Sequence, residues 1–267
     1  MSTASLRREV GRLREHRPGR GQAVPEDRLE FARLLSVEPD PWQARLLRST
    51  ADKVLLNCSR QSGKSTMAAL LALHKALYAP DSLVLILAPA ERQAKELFSK
   101  VARFYGGLGH PVAADSYRKL GVHLTNGSRI EALPGTEKTI RGFSGVGLLI
   151  VDEASRVEDE LYFAVRPMLA ISGGKLMMLS TPYGKRGVFY DEWHRRAGEW
   201  ERYEVPASKC SRISDAFLEE ERAALPSWVY RQEYECSFEE TEDQVFTTEM
   251  VDAAVSADVK PLFGGAV

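Results

Sequence analysis

The 267-residue chain has few cysteines, no long hydrophobic run and a net charge of only −1. Its three cysteines show no metal-binding spacing, so we expect Cys58, Cys210 and Cys236 to be reduced and structural. The longest apolar run, 82–88, has the length of a buried strand and is too short to cross a bilayer. No apolar segment follows the N-terminal arginines, and we therefore expect a cytoplasmic protein without a secretory signal.

The small net charge by itself argues against an obligate nucleic-acid binder, but the charges are unevenly distributed. Residues 1–22 hold six arginines against two glutamates, and residues 92–129 hold seven bases against two acids, whereas 199–243 is acidic. The basic segments are either solvated faces or contacts to nucleic-acid phosphates. Arg103 is our candidate for such a DNA contact.

A phosphate-binding loop is predicted where the apolar strand 53–58 ends. It follows the pattern G-x-x-x-x-G-K-[ST], except that Cys58 replaces the first glycine. The free N–H groups and positive dipole end of the next helix would face the phosphates of ATP. Lys64 would neutralise the β and γ oxygens, and Ser65 would hold Mg²⁺. The other loop candidates are Ser59, Arg60, Gln61, Ser62, Gly63 and Thr66. The alternative is a solvated turn that caps a helix.

Two carboxylates follow the apolar segment 148–151, which predicts a central strand. Ligands of open α/β sheets bind at the carboxyl ends of the strands, where these side chains would emerge. Asp152 would act on Mg²⁺, and Glu153 could polarise the attacking water as a general base. In isolation an Asp-Glu pair is more often a simple helix cap, but the upstream phosphate loop favours the catalytic interpretation.

Two polar positions flank the predicted site. Ser180, Thr181 and Pro182 close the next predicted strand and would sense the γ-phosphate; the alternative is a strand-to-loop turn. Gln43, before the first strand, could pair with adenine N6 and N7 and so favour ATP over GTP. The alternative is a surface glutamine.

Two arginines compete for the role of an arginine finger. Arg141 lies in a glycine-containing loop before the Asp152 strand, whereas Arg60 lies inside the phosphate loop. Many loop arginines are only solvated, and the sequence leaves this choice open.

The pattern of elements predicts an α/β fold with a mostly parallel sheet flanked by helices. Asn126-Gly127 predicts a hairpin in an antiparallel ribbon at the sheet edge. The core is predicted to end near residue 182. The predicted helices are 25–35, 41–50, 64–78, 91–105, 158–170, 187–197, 214–224 and 227–236, and the later strands are 148–151, 176–179 and 201–205.

Taken together, these motifs resemble the large terminase subunit of tailed bacteriophages, the ATPase that drives double-stranded DNA into a procapsid. The resemblance covers residues from about 40 to 245, and its most specific mark is Arg60-Gln61 inside a loop that lacks the first glycine. The other matching segments are Pro41-Trp42-Gln43, Arg141-Gly142, Val151-Asp152-Glu153-Ala154 and Ser180-Thr181-Pro182.

The resemblance implies a P-loop NTPase of the ASCE, RecA-like type that uses ATP and Mg²⁺. It implies that Gln43 lies at the adenine, that Arg60 and Lys64 face the phosphates, and that the Ser180-Thr181-Pro182 motif couples hydrolysis to movement. It implies that Arg141 reaches a neighbouring subunit's ATP in a homo-oligomeric ring. It also implies the portal protein and small terminase subunit as partners, and the host cytoplasm as the location.

The expected organisation has four parts: a basic arm (1–24), the ATPase core (25–182), a lid subdomain (183–245) and a linker (246–267). The resemblance to large terminases implies an enzyme in which a nuclease domain follows the ATPase domain. We expect the nuclease domain to be absent here. A superfamily 2 helicase shares several of these motifs but needs a second RecA-like domain. A nucleotide switch that binds a protein partner is the other alternative, and Glu153 argues against it.

Overall fold

The structure is a computed structural model that describes residues 24–135, 140, 142–194, 200–240, 250 and 254. Residues 1–23 of the predicted arm, most of the predicted linker (246–267) and Arg141 lie outside this part of the chain.

Within the described residues the chain forms eight α-helices and eight strands. The helices are α1 (Arg28–Leu34), α2 (Pro41–Arg48), α3 (Lys64–Tyr78), α4 (Glu91–Gly107), α5 (Asp159–Val165), α6 (Gly187–His194), α7 (Asp215–Ala224) and α8 (Ser227–Tyr234). The strands are β1 (Lys53–Cys58), β2 (Leu83–Ala88), β3 (Ala114–Arg118), β4 (Gly121–Leu124), β5 (Arg129–Pro134), β6 (Val146–Asp152), β7 (Lys175–Ser180) and β8 (Trp200–Val205).

The eight strands form one sheet in the order β3-β4-β5-β2-β6-β7-β1-β8. The six strands from β5 to β8 in this order pair in parallel, whereas β3 and β4 form an antiparallel ribbon at one edge. Asn57 is opposite Ser180, and Asp152 is opposite Leu179. The carboxyl ends of β1, β6 and β7 therefore meet at one edge of the sheet, which confirms the predicted α/β class.

The strand β8 shows that the sheet does not end at residue 182. The sequence prediction assigned this strand to the lid subdomain, but it pairs in parallel with β1 along its whole length. Trp200, Tyr203 and Val205 are buried, while Glu204 is exposed. Charged residues between apolar ones suit an edge strand, and that pattern does not specify which strand lies beside it.

The predicted hairpin is confirmed, and the helices predicted over 25–35 and 158–170 are clearly shorter than expected. Gly127 turns the chain between β4 and β5 with a φ of +82°, a conformation that favours glycine. The helix predicted over 158–170 ends at Val165 and continues as a 3₁₀ turn, because Pro167 has no N–H to donate. The helix predicted over 25–35 begins only at Arg28, since Asp27 accepts the N–H groups of Leu29 and Glu30, both at 2.9 Å.

Each face of the sheet has its own hydrophobic core. In one cluster the helices α1, α2, α3 and α4 pack on one face of the sheet. In the other cluster α5 and α6 pack on the opposite face. None of the helices in the described residues is both long and apolar enough to span a lipid bilayer.

Candidate nucleotide site

The phosphate loop connects the buried end of β1 to the start of α3. Gly63 precedes the helix with a φ of +93°, and Gln61 also has a left-handed backbone, with a φ of +58°. Cys58 is fully buried at the end of β1, inside the hydrophobic core. The position that is glycine in the common pattern is therefore a core position of the strand in this protein.

The three cysteines are buried and none forms a disulfide. Burial raises the pKa of the Cys58 and Cys210 thiols, and it raises the pKa of Cys236 to about 12. The thiols are therefore protonated and unreactive near neutral pH. The expectation of reduced, structural cysteines is confirmed.

The C-terminal elements hold the backbone of the phosphate loop. The Ser59 N–H donates to the Val205 carbonyl at 2.9 Å, and the Arg60 N–H donates to the Glu233 carbonyl at 3.1 Å. The guanidinium of Arg60 also pairs with the Glu233 carboxylate, and this hydrogen bond raises the pKa of Arg60. In this structure Arg60 is thus bound to α8, and its predicted contact with the phosphates stays a prediction.

Lys64 joins three of the predicted motifs. Its buried amine donates to Thr181 Oγ1 at 3.1 Å and lies 3.7 Å from Glu153 Oε1. The Lys64 amine thus brings together the phosphate loop, the acidic end of β6 and the end of β7. Lys64 and Thr181 are 117 positions apart along the chain. P-loop enzymes that cleave a triphosphate likewise bring a loop lysine and a strand-end carboxylate to one site.

The acidic strand end contains a carboxylate whose pKa is strongly perturbed. Burial, together with the neighbouring charge of Glu153, raises the pKa of Asp152 from 3.8 to about 6. A nearby divalent cation would offset that cost, and oxygen donors such as Asp152 and Ser65 are the ligands that Mg²⁺ prefers. The two residues therefore fit Mg²⁺. Glu153 itself has a left-handed backbone with a φ of +51°, a strained conformation that is often found at functional sites.

Ser155 is a site residue that the sequence prediction missed. Its hydroxyl lies 2.6 Å from Ser180 Oγ and donates to the Thr181 carbonyl at 2.8 Å. Its N–H also donates to Ser180 Oγ at 3.2 Å. Ser155 follows Asp152-Glu153 by two positions, so its place in the motif is the signal that could have found it. It links the acidic strand end to the predicted coupling motif.

Gln43 is buried against the phosphate loop, which contradicts the alternative of a surface glutamine, and its amide is already hydrogen-bonded. Its Oε1 accepts the Asp40 N–H at 2.9 Å, and its Nε2 donates to the Ser62 carbonyl at 3.4 Å. Arg212, another residue that the sequence prediction missed, donates to the same carbonyl at 2.8 Å. Contact between Gln43 and adenine stays a prediction.

Two basic residues of α4 have different surroundings. Burial lowers the pKa of Lys100, and the charge of Asp152 opposes that shift. Arg103 is exposed, with its guanidinium 5.6 Å from the ring of Phe104. A DNA contact by Arg103 stays a prediction, as does the finger role of Arg141.

The fold and the site define a P-loop nucleotide-binding protein of the α/β class. The chain belongs to the family described as the terminase large subunit, T4likevirus-type, N-terminal, whose model matches residues 55–252. The predicted fold and family are therefore confirmed, and the helicase alternative is not favoured.

Individual relatives agree with this assignment. The large terminase subunit of Thermus virus P23-45 is 24% identical over 258 residues, which cover 84% of this chain and 53% of that protein. The solved ATPase domain of the Thermus phage P74-26 large terminase has a TM-score of 0.72 at 23% identity, covering 82% of this chain and 100% of that one. The large terminase of another thermophilic bacteriophage, solved in complex with ADP, has a TM-score of 0.64 at 11% identity, covering 75% of this chain and 54% of that one.

These structural likenesses show the fold. The chain spans about half the length of the curated Thermus virus P23-45 and Thermus phage G20c relatives that it matches.

Proposed function

We propose that this chain is the ATPase motor domain of a viral genome-packaging terminase, which couples ATP hydrolysis to translocation of double-stranded DNA into a procapsid. The observation that carries the proposal is the position of Lys64, 3.1 Å from Thr181 Oγ1 and 3.7 Å from Glu153 Oε1. Family membership supports the same function, as do the solved complexes of the thermophilic bacteriophage terminase with ADP and ATP-γ-S.

In this mechanism the loop N–H groups and Lys64 bind the β- and γ-phosphates of ATP. Asp152 and Ser65 would hold Mg²⁺, which supplies positive charge to the phosphate oxygens. Glu153 orients the attacking water and accepts its proton. When the γ-phosphate leaves, the Lys64 amine loses an anionic partner, and its bond to Thr181 transmits that change to the motif 180–182.

The proposal extends to partners that the mechanism requires. The DNA would be held by contacts to its phosphates, with Arg103 as a candidate, so that packaging does not depend on sequence. The portal protein, the small terminase subunit and further copies of this chain in a ring would complete the motor. We also propose the arm (1–24) and linker (246–267) as separate segments, with the lid reduced to the part of 183–245 outside β8.

The test is DNA-dependent ATP hydrolysis by the chain assembled on procapsids with its portal. We expect DNA to raise phosphate release, and this stimulation to fall steeply with salt, because phosphate contacts release counterions. Arg141→Ala should leave ATP binding by the isolated chain intact and reduce hydrolysis in the assembled ring by roughly 10³-fold if it is a finger.

Hydrolysis that is unaffected by DNA at every salt concentration would contradict the motor function. Equal hydrolysis by wild-type and Arg141→Ala rings would contradict only the finger.

A further inference from the structure

Ser211 and Arg212, in a turn after β8, bind the carboxylate of Asp40, the residue that precedes α2. Ser211 Oγ donates to Asp40 Oδ1 at 2.9 Å, and Arg212 Nη2 lies 2.8 Å from Asp40 Oδ2. The Asp40 side chain is only 6% exposed. A buried carboxylate requires a partner of opposite charge, and Arg212 supplies it.

The same guanidinium reaches the phosphate loop. Arg212 Nη2 donates to the Ser62 carbonyl at 2.8 Å, and Gln43 Nε2 donates to the same carbonyl at 3.4 Å. A Cβ atom added at Gly63 would lie 2.7 Å from Gln43 Nε2 and 3.2 Å from Arg212 Nη2. Both side chains therefore pack directly on the Ser62-Gly63 peptide.

A planar trans peptide fixes the relation between the two ends of this unit. The C=O of Ser62 and the N–H of Gly63 point in opposite directions, so a donor that holds the carbonyl also sets the direction of the N–H. That N–H belongs to the loop whose amides receive the phosphates. A cation at the carbonyl also polarises the peptide and strengthens its N–H as a donor.

We propose that Arg212 is a positioning residue of the nucleotide site, which orients the Ser62-Gly63 peptide toward the phosphates and is itself held by Asp40. The proposal rests on the proposed ATP-binding function and adds a residue that lies 150 positions from the loop it contacts. It also assigns a role to Asp40. The carboxylate anchors the guanidinium, and without Arg212 it would leave an uncompensated negative charge beside the site of an anionic ligand.

The experiment measures ATP affinity by titration calorimetry and, separately, thermal unfolding without nucleotide. We expect Arg212→Gln to raise the dissociation constant for ATP about tenfold, since a charge-assisted hydrogen bond is lost. Arg212→Lys should recover part of the affinity, because it keeps the charge opposite Asp40. The matched control is Arg222→Gln, which removes a similar ion pair, with Glu235, on the same C-terminal segment, and it should leave the affinity unchanged.

Asp40→Asn tests the link between the two residues. It removes the anchor and, once Arg212 is gone, the uncompensated charge as well, so the double variant with Arg212→Gln should bind ATP no more weakly than Arg212→Gln alone. Additive losses would overturn the role of Asp40. A folded Arg212→Gln protein with wild-type ATP affinity would overturn the proposal, whatever its unfolding temperature.

Ser211→Ala is the milder variant if Arg212→Gln does not fold, because it removes only one contact to Asp40. We expect a reproducible rise of about threefold in the dissociation constant, and an unchanged value would count against the proposal. If the wild-type chain binds no ATP, the proposed function fails as well. Binding by the wild type with no change in the variants contradicts this inference alone.

Discussion

The phosphate loop and the acidic end of β6 form two halves of one site, yet different parts of the chain hold them. Arg212 and Glu233 contact the loop from 150 and 173 positions away. The acidic end is held by a nearer partner, since Ser155 and Ser180 are 25 positions apart at the ends of adjacent strands. The difference teaches that the shape of the loop depends on the C-terminal segment, whereas the acidic end depends on two neighbouring strands.

Replacing the carboxylate of Glu153 should impair hydrolysis at the acidic end of β6 and leave ATP binding by the phosphate loop intact. We expect Glu153→Gln to reduce hydrolysis about 10²- to 10⁴-fold, the usual contribution of a general base, while the loop still binds ATP. Phosphate release by the assembled motor and calorimetry with ATP measure the two effects. Glu158→Gln, an exposed carboxylate at the start of α5, is the control. Unchanged hydrolysis in Glu153→Gln would remove this residue from the base role.

The pH dependence of stability should also distinguish the acidic end of β6 from the phosphate loop, because burial raises the pKa of Asp152 to about 6. The folded protein holds this proton between pH 3.8 and about 6, whereas the unfolded chain releases it. The free energy of unfolding should therefore fall by at most about 3 kcal/mol as pH rises through that window, and it should level off above it.

Denaturant unfolding of wild type and Asp152→Asn at several pH values measures this effect. The Asp152→Asn protein should lack this component of the slope, because its side chain does not titrate. Identical slopes in the two proteins would show that the pKa of Asp152 is not raised in the folded protein.

The sequence predicted the acidic half better than the loop half. Asp152, Glu153 and Ser180 come directly after apolar runs in the sequence, and the carboxyl ends of parallel strands necessarily share an edge. Nothing in the local pattern of Arg212 or Glu233 shows that they reach residues 60–63. Periodicity reports which face of an element is buried, but not which distant loop packs on it.

The same limit explains why β8 was assigned to the lid. Its alternating pattern identified a strand correctly, while its pairing with β1 depends on long-range contacts that a local pattern does not encode.

Arg60 offers a sharper test of the loop half. We expect Arg60→Ala to weaken ATP binding about tenfold, and Glu233→Gln to preserve or improve it, because the released guanidinium can turn to the phosphates. Each change should cost less than about 1 kcal/mol of stability, since the Arg60 side chain is 62% exposed. Arg231→Ala, which breaks a similar pair with Glu239 from the same helix, is the control. Equal weakening in the Arg60 and Glu233 variants would mean that Arg60 only anchors α8.

The smallest expected effect concerns the hydroxyl of Ser155. Ser155→Ala removes its bonds to Ser180 and the Thr181 carbonyl, each worth about 1 kcal/mol, so we expect hydrolysis to fall about fivefold with ATP affinity unchanged. Ser172→Ala is a close control, because Ser172 Oγ donates to the Val146 carbonyl at 2.6 Å at the opposite end of β6.

Both serine variants lose a hydroxyl that makes hydrogen bonds near one end of β6, and they should lose similar stability in denaturant unfolding. Only the one at the acidic end should slow hydrolysis, since only that hydroxyl touches the residues around Lys64. If Ser172→Ala slowed hydrolysis as much, the effect would come from strand stability, and the acidic end would not depend on its own local contacts.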